Sequence, residues 1–451
     1  MKKLEINMLH MTNQPQGQGV ASATTEQINL LLENAQEDLI VLSNQKEDGD
    51  INHFHQIDPL LYLRIKGSQA INVMHVHFLP ETLDGSISMP KPIMDVIKLY
   101  SLDFYKSADY LVVVNPIFIE PLTSYGIHKD KIKYIPNYVS KDKFHPIDVS
   151  QRNEFRKKYN ISPDAFVVIG VGQVQTRKGV IDFVEVAKQI PDVTFVWAGG
   201  FSFGVITDGY KELKEVVENP PENVIFTDII PREDMNKVYN MADVLFMPSY
   251  NELFPMAILE ACNSHVPMVL RDLDLYVDIL FEKYLKGHDN HDFTDLINEL
   301  KRKEALYTQA TAFSKEISEI YSKENVSKQW IDFYQKIYKD RQNTHKHFID
   351  ADTYDNILAK ETSAIIESSA INPMPVGNIQ VNDLLELKKI GSFSSEKIIV
   401  KVTAVHYHQR LDSDDNFDFI APFKEKINRS EDRLSRHASK VYLTIIEFDN
   451  V

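Results

Sequence analysis

The stretch "YNELFPMAILEA" at 250–261 carries two carboxylates, Glu252 and Glu260, with seven residues between them. It follows the strand-like run "ADVLFMPS". Pro255 predicts a helix starting near Phe254, because proline suits a first helical turn, where its missing N–H has no intrahelical partner to lose. Glu252 then lies just ahead of the helix and Glu260 about two turns inside it. The backbone N–H groups near Phe254, Pro255 and Met256 open toward the same space, with proline contributing none. A carboxylate there could accept from sugar hydroxyls while nearby amides bind phosphate oxygens. The spacing also fits an N-capping acid followed by a surface glutamate, and spacing alone favours that plainer reading.

Two loops could hold an anion. The first, "HMTNQPQGQGVASATTEQINLLL", sets Gly17 and Gly19 between a strand ending near His10 and a helix beginning about Ser22. The second, "GVGQVQTRKG", follows the apolar run "AFVVI" and contains Gly172, Gln173, Arg177 and Lys178 before Gly179 and another helix. Glycines let a backbone approach a ligand, a helix N-terminus favours negative charge, and two cations beside it suit a diphosphate. A flexible turn and a solvated basic helix start are the alternatives. Histidines cluster in "HFHQIDP" (His53, His55) and "MHVHFLPETL" (His75, His77). Strand alternation puts His75 and His77 on one face. Metal ligand, structural histidine and cleft-facing histidine all remain open, but no third ligand has convincing metal spacing, and no metal is expected.

These residues need elements to position them. "EINMLHM", "DLIVLS", "INVMHVHF" and "YLVVVN", then "AFVVIGVGQ", "VTFVWAGG", "NVIFTDI", "DVLFMPS" and "VPMVLRD", read as buried parallel strands. Helical stretches such as "TTEQINLLLENA" and "VIDFVEVAKQI" separate them. Alternation of this kind predicts an α/β chain with two Rossmann-like, doubly wound domains, about 1–150 and 151–340, joined by the charged stretch "FHPIDVSQRNEFRKKYNISPD". Ligands then belong at the carboxyl ends of the strands, in the cleft between the domains. Residues 341–451 read as a small α+β appendage with strands in "EKIIVKVTAVHYH" and "KVYLTIIEF". Its "DSDDNFD" lacks the glycine and terminal glutamate of a calcium loop and reads as a solvated acidic turn.

Length sets the frame: 451 residues exceed one ordinary domain, and 43% hydrophobic with 25% charged residues is a globular composition. A formal charge of −16 argues against generic nucleic-acid binding. The single cysteine, Cys262, excludes an intramolecular disulfide and suits the cytosol. No apolar run is long enough to span a bilayer, and "MKKLEINMLHM" reads as a first strand rather than a signal peptide.

Taken together, these motifs resemble the family-4 retaining glycosyltransferases, which have the two-domain GT-B fold. The resemblance rests on the Glu-x7-Glu signature in "ADVLFMPSYNELFPMAILEA", the loop "GVGQVQTRKGV", the interdomain-like "IKYIPNYVSKDKFHP", and "NVIFTDIIPREDMNKVYNMADV", which looks like the segment around the nucleotide base. It covers about residues 1–340. "GQGVASATTEQ", "VHFLPETLDGSI", "FYKSADYLVVVNPIFIEPL" and "LRDLDLYVDIL" look like the Gram-positive glycosyl-diacylglycerol glycosyltransferases. The resemblance implies a UDP-hexose donor, glucose or galactose, and a glucosyl-diacylglycerol acceptor, with no cofactor. It implies that His77 contacts the donor sugar from the cleft, Gly17 and Gly19 lie near the donor phosphates, Lys178 neutralises the leaving diphosphate, Glu252 orients the donor sugar and Glu260 binds ribose. Gln173 stands where the family usually has arginine, leaving that charge to Lys178 and Arg177. "NSH" at 263–265 replaces a small-and-glycine stretch, and "RDLDLY" replaces a glycine pair.

A lipid acceptor implies a cytoplasmic enzyme lying peripherally on the inner membrane face. "KPIMDVIKLYSLDFYKS" (91–107) offers an apolar stripe through Ile93, Val96, Ile97, Tyr100 and Phe104, with Lys91, Lys98 and Lys106 interleaved. Packing of that stripe on its own domain is the alternative. A capsular, teichoic-acid or protein acceptor, or a nucleotide-sugar-binding scaffold without catalysis, are the competing functions.

Overall fold

The structure, a computed structural model, describes residues 3–11, 19–68, 70–83, 90–202, 204, 207–342, 344–372, 379–381, 383–391, 397–410 and 415–450. The chain divides into two compact units, Met1–Tyr334 and Gln335–Val451.

The first unit holds two six-stranded, wholly parallel sheets. In the first sheet, β1 (Leu4–Leu9), β2 (Leu39–Ser43), β3 (Ile51–Phe54), β4 (Ile71–Val76), β5 (Tyr110–Val113) and β6 (Ile132–Tyr134) take the order β2-β1-β3-β4-β5-β6. In the second, β7 (Val167–Val171), β8 (Thr194–Ala198), β9 (Val224–Phe226), β10 (Val244–Met247), β11 (Met268–Arg271) and β12 (Leu285–Gly287) take the order β12-β11-β10-β7-β8-β9. The strands expected as buried runs all form, and β3, β6 and β12 are additions of only three or four residues. In each sheet the strand order reverses direction once: between β1 and β3 in the first, and between β7 and β10 in the second. Such a reversal opens a crevice at the carboxyl ends of the strands.

Two of the expected details differ. The stretch read as a linker contains the helix Val149–Lys158. Its Arg156 is buried and donates to the carbonyls of Met241, Pro163 and Ala165 at 2.8–2.9 Å and to Asp243 Oδ2 at 3.0 Å. Those bonds satisfy a charge that would otherwise be costly to bury, and they fix the helix to the second sheet. The helix Lys323–Gln342 carries Trp330 and Tyr334 back to the first sheet, where both rings pack on His53.

The second unit is built on a mixed five-stranded sheet. β13 (Thr344–Ile349), β14 (Ala364–Ser369), β15 (Leu384–Lys389), β16 (Ile398–Gln409) and β17 (Tyr442–Asn450) take the order β13-β15-β16-β17-β14. Only the β13–β15 pair is parallel. One face buries Tyr354, Leu385 and Val400, and the other buries Ile366, Leu434 and Leu443. Part of "DSDDNFD" lies outside the described residues, and the helix Asp415–Ile420 starts within it.

Candidate active site

The second-sheet reversal brings two loops together. One runs from β7 to the helix Val180–Gln189, the other from β10 to the helix Met256–Asn263. Tyr250 N–H donates to the Arg177 carbonyl at 2.8 Å. Gly179 has φ +70°, and a Cβ there would lie 2.4 Å from the Pro248 carbonyl oxygen, so only glycine allows this approach.

Lys178 and Glu252, one from each loop, meet with Nζ 2.5 Å from Oε1, both buried. Arg177 Nη1 lies 3.8 Å from the other Glu252 oxygen and donates to the Asn251 carbonyl at 3.0 Å. Burial lowers the Lys178 pKa, and Glu252 only partly offsets that. Burial alone would raise the Glu252 carboxyl, but Lys178 and Arg177 outweigh it and hold it below its usual value. The result is a buried, charge-separated pair with a second cation at its edge.

The Glu252 loop is held from the first sheet. Asn115 Nδ2 donates to the Leu253 and Leu275 carbonyls at 3.0 and 2.9 Å, and Asn137 Nδ2 to the Phe254 carbonyl at 2.9 Å. Arg271 supports the loop from below, donating to the Pro248 carbonyl at 2.9 Å under the Tyr250 ring. The hydroxyl of buried Tyr276 has no hydrogen-bond partner and lies close enough to Glu252 to feel its charge. Asn115, Asn137, Arg271 and Tyr276 all lie in quoted motifs, but residue type alone gave no reason to single them out.

Pro255 caps the helix and Met256 is its first residue, so the helix starts two residues later than expected. Glu260 is therefore little more than one turn in, not two. Phe254 is buried against Tyr321, with ring centroids 5.1 Å apart. Both Glu260 oxygens are engaged: Arg232 donates to Oε1, and the Tyr239 hydroxyl donates to Oε2 at 2.6 Å. Arg232 also reaches Glu26 at 3.6 Å. Glu26 is a buried residue of the helix Gly19–Asn34 and accepts from Lys143 at 3.0 Å. This bridge between the two Rossmann-like halves has no signature in sequence spacing.

Gln173 accepts from Gln175 Nε2 at 2.6 Å. Gly19 is exposed and begins its helix, three residues earlier than expected, whereas Gly17 lies outside the described residues. In "NSH", His265 has φ +59°, the left-handed region that glycine occupies without strain. Asn263 bonds the Val139 carbonyl at 2.9 Å.

His77 closes a row of four buried imidazoles. It stacks on His75 with centroids 4.2 Å apart and planes 3° from parallel, while His53 stacks on His55 at 4.4 Å. Burial holds His53 and His77 down to about 3, and His55 and His75 well below the usual histidine value, so all four are neutral near pH 7.

Comparison with known proteins gives the context. Over 337 residues the chain is 44% identical to the alpha-galactosylglucosyldiacylglycerol synthase of Streptococcus pneumoniae, covering 74% of this chain and 90% of that protein. Residues 151–319 match the model for glycosyl transferases group 1. The chain belongs to this glycosyltransferase family. A second relative, the processive diacylglycerol alpha-glucosyltransferase of Acholeplasma laidlawii, is 31% identical over 232 residues, 51% of this chain and 68% of that protein. Among solved structures, Anabaena HepE in complex with UDP-glucose matches with a TM-score of 0.59 at 14% identity, covering 74% of this chain and all of that one. Sucrose-phosphate synthase from Thermosynechococcus elongatus matches with 0.61 at 16%, covering 75% of this chain and all of that one. The transferase thus has the GT-B architecture that its motifs implied.

Proposed function

We propose that the chain is a retaining hexosyltransferase that moves a hexose from a UDP-sugar to a sugar hydroxyl of a glucosyl-diacylglycerol. UDP-galactose is the first donor to test and UDP-glucose the second. The product named for the pneumococcal relative, matched over 90% of its length, supports both the acceptor and that order. The observation that carries the reading is the buried Lys178–Glu252 pair at the second-sheet crevice. In this reading residues 1–150 serve the acceptor and 151–340 bind the nucleotide sugar.

The reaction breaks the bond between the anomeric carbon and the β-phosphate oxygen, leaving its electron pair on UDP, while the acceptor hydroxyl oxygen bonds the anomeric carbon on the same face and passes its proton to the departing phosphate oxygen. Lys178 and Arg177 stabilise that anion, with Lys178 already desolvated and so effective at short range. Glu252 orients a donor hydroxyl. Its oxygens face two cations and its carboxyl is held ionised, which makes it an acceptor of hydrogen bonds and a poor nucleophile. Met256 and the helix start behind it contribute a positive dipole end. Glu260 takes the ribose hydroxyls, Gly19 borders the donor phosphates, and His77 meets the donor sugar.

The acceptor's acyl chains require a membrane surface. No helix among the described residues is long and apolar enough to cross a membrane. The stripe through Tyr100 and Phe104 packs inward, against Tyr62 and Phe54. Ile93 and Val96 of the same stripe stay exposed, joined by Leu99 and by Leu60 and Leu63 on the adjoining helix Pro59–Gly67. Lys91, Lys98 and Lys106 lie on the same helix, interleaved with exposed Asp95 and Asp103, and the result is an apolar face with flanking cations suited to peripheral docking on a lipid surface.

Incubation of the chain with each UDP-hexose and glucosyl-diacylglycerol, with the product read by mass and its anomeric configuration by NMR, tests the reading. The expected product is an α-linked dihexosyl-diacylglycerol. Transfer only to a non-lipid acceptor, or an inverted linkage, rejects it.

A further inference from the structure

The four-histidine row contains more unmet hydrogen-bonding capacity than a packed core tolerates. His53, His55, His75 and His77 are all less than 9% exposed. Six of their eight ring nitrogens are buried with no hydrogen-bond partner: His53 Nε2, both nitrogens of His55, both of His75, and His77 Nε2. Each such orphan costs about 1–3 kcal/mol, so a cluster of them calls for an occupant.

We propose that His53, His55 and His75 form a binding site for a transition-metal dication of the zinc or cobalt class. One ligand nitrogen from each lies within 4.8 Å of the others. A tetrahedral site with bonds of about 2.0–2.1 Å needs nitrogens about 3.3 Å apart, so the rings must draw in and splay out of their stack. Three imidazoles without a carboxylate in the group select a borderline metal over magnesium or calcium. The neutral state imposed by burial is the state that binds metal.

An independent feature points the same way. His53 Nδ1 lies 2.6 Å from the Tyr334 hydroxyl, while its Nε2 is the orphan. Metal-bound histidines ordinarily engage the second ring nitrogen in this manner, which fixes the tautomer and aims the ligand. Trp330 packs on both His53 and His75 and walls the site. The metal site does not depend on the choice of donor or acceptor.

The test is cobalt titration of the chelator-treated full chain. One equivalent should bind with the visible d–d absorption of a low-coordinate nitrogen site, and zinc should displace it. His53→Gln, His55→Gln and His75→Gln should each weaken binding at least tenfold, and Tyr334→Phe, which keeps all three ligands, about tenfold. If the histidine variants fail to fold, X-ray absorption of the zinc-loaded natural chain still decides, with three imidazole nitrogens at about 2.0–2.1 Å expected. Absence of cobalt uptake, carboxylate or thiolate ligation, or uptake untouched by substitutions in folded variants overturns the proposal.

Discussion

Lys178 Nζ and Glu252 Oε1 lie 2.5 Å apart in a buried crevice, contributed by loops seventy-four residues apart in sequence. The pair survives burial because each charge answers the other and Arg177 adds a second cation near Glu252. Removing Glu252 leaves Lys178 buried beside Arg177 with no carboxylate, and removing Lys178 leaves Glu252 only the more distant Arg177, at a cost of up to about 3–5 kcal/mol.

Lys178→Ala should therefore lower both turnover and stability. Loss of anion stabilisation predicts a fall in kcat of about 10²–10³-fold. The neutral double variant Lys178→Met/Glu252→Gln should recover most of the lost stability without recovering turnover. Thermal unfolding and initial rates on the three variants separate the two effects. Normal transfer by Lys178→Ala removes the leaving-group role.

Glu260 should act on binding rather than chemistry. Its carboxylate already holds Arg232 and Tyr239, and a ribose hydroxyl adds a bond made equally before and during reaction. Glu260→Gln should raise the KM for the UDP-sugar by roughly tenfold or more, the worth of a charge-assisted hydrogen bond, and change kcat little. Calorimetric titration with UDP checks it, and unchanged affinity counts against the ribose assignment.

The exposed apolar face proposed for docking makes a separable prediction. Leu60, Leu63, Val96 and Leu99 are 65–76% exposed, so replacing them with glutamate leaves the core intact. Each buried leucine or valine is worth about 1.5–3 kcal/mol on transfer from water. The quadruple variant should lose vesicle binding by at least a hundredfold and keep its affinity for UDP. Sedimentation with anionic vesicles reads the loss, which should be largest at low salt, where the lysines add to binding. Equal sedimentation of variant and parent shows that docking uses another face.

Much of this architecture is legible from residue runs. Continuous apolar stretches mark parallel strands buried on both faces, so β7, β8 and β10 are read directly. The three-residue strands "IKY" and "LKG" are too short to carry a period, and they form only because neighbouring strands offer an edge. Lys178, Glu252 and Glu260 stand out in the sequence because the order of motifs outweighs their individual ambiguity. The Glu26–Arg232–Glu260 bridge does not, since nothing local links a helix at the start of the chain to residue 232. The histidines illustrate the same limit. Phe54 pairs with Met74, which brings the next residues, His55 and His75, alongside each other. Two motifs that each lacked a third ligand thereby become one cluster.

The same cluster predicts acid sensitivity of the first unit. His53 and His77 are held down to about 3 in the fold, against 6.5 when exposed. Between these values the unfolded chain binds their protons and the folded chain does not. Stability is therefore complete above pH 6.5 and is lost as the pH falls toward 3, by about 1.4 kcal/mol per pH unit for each histidine. His55 and His75 shift the same way. His53 and His77 together remove about 2.7 kcal/mol per unit inside that window, and the downward shift of His55 and His75 adds to the loss, which reaches the scale of a whole domain's stability over two to three units, roughly 5–15 kcal/mol. The chelator-treated chain should accordingly unfold between about pH 4 and 5.5. His75→Gln should move that midpoint downward and reduce proton uptake on unfolding by about one. Acid titration followed by tryptophan fluorescence, which Trp330 beside the cluster can report, checks the midpoint; a transition that begins only below about pH 3.5, or is indifferent to His75→Gln, rules out the histidines as its cause.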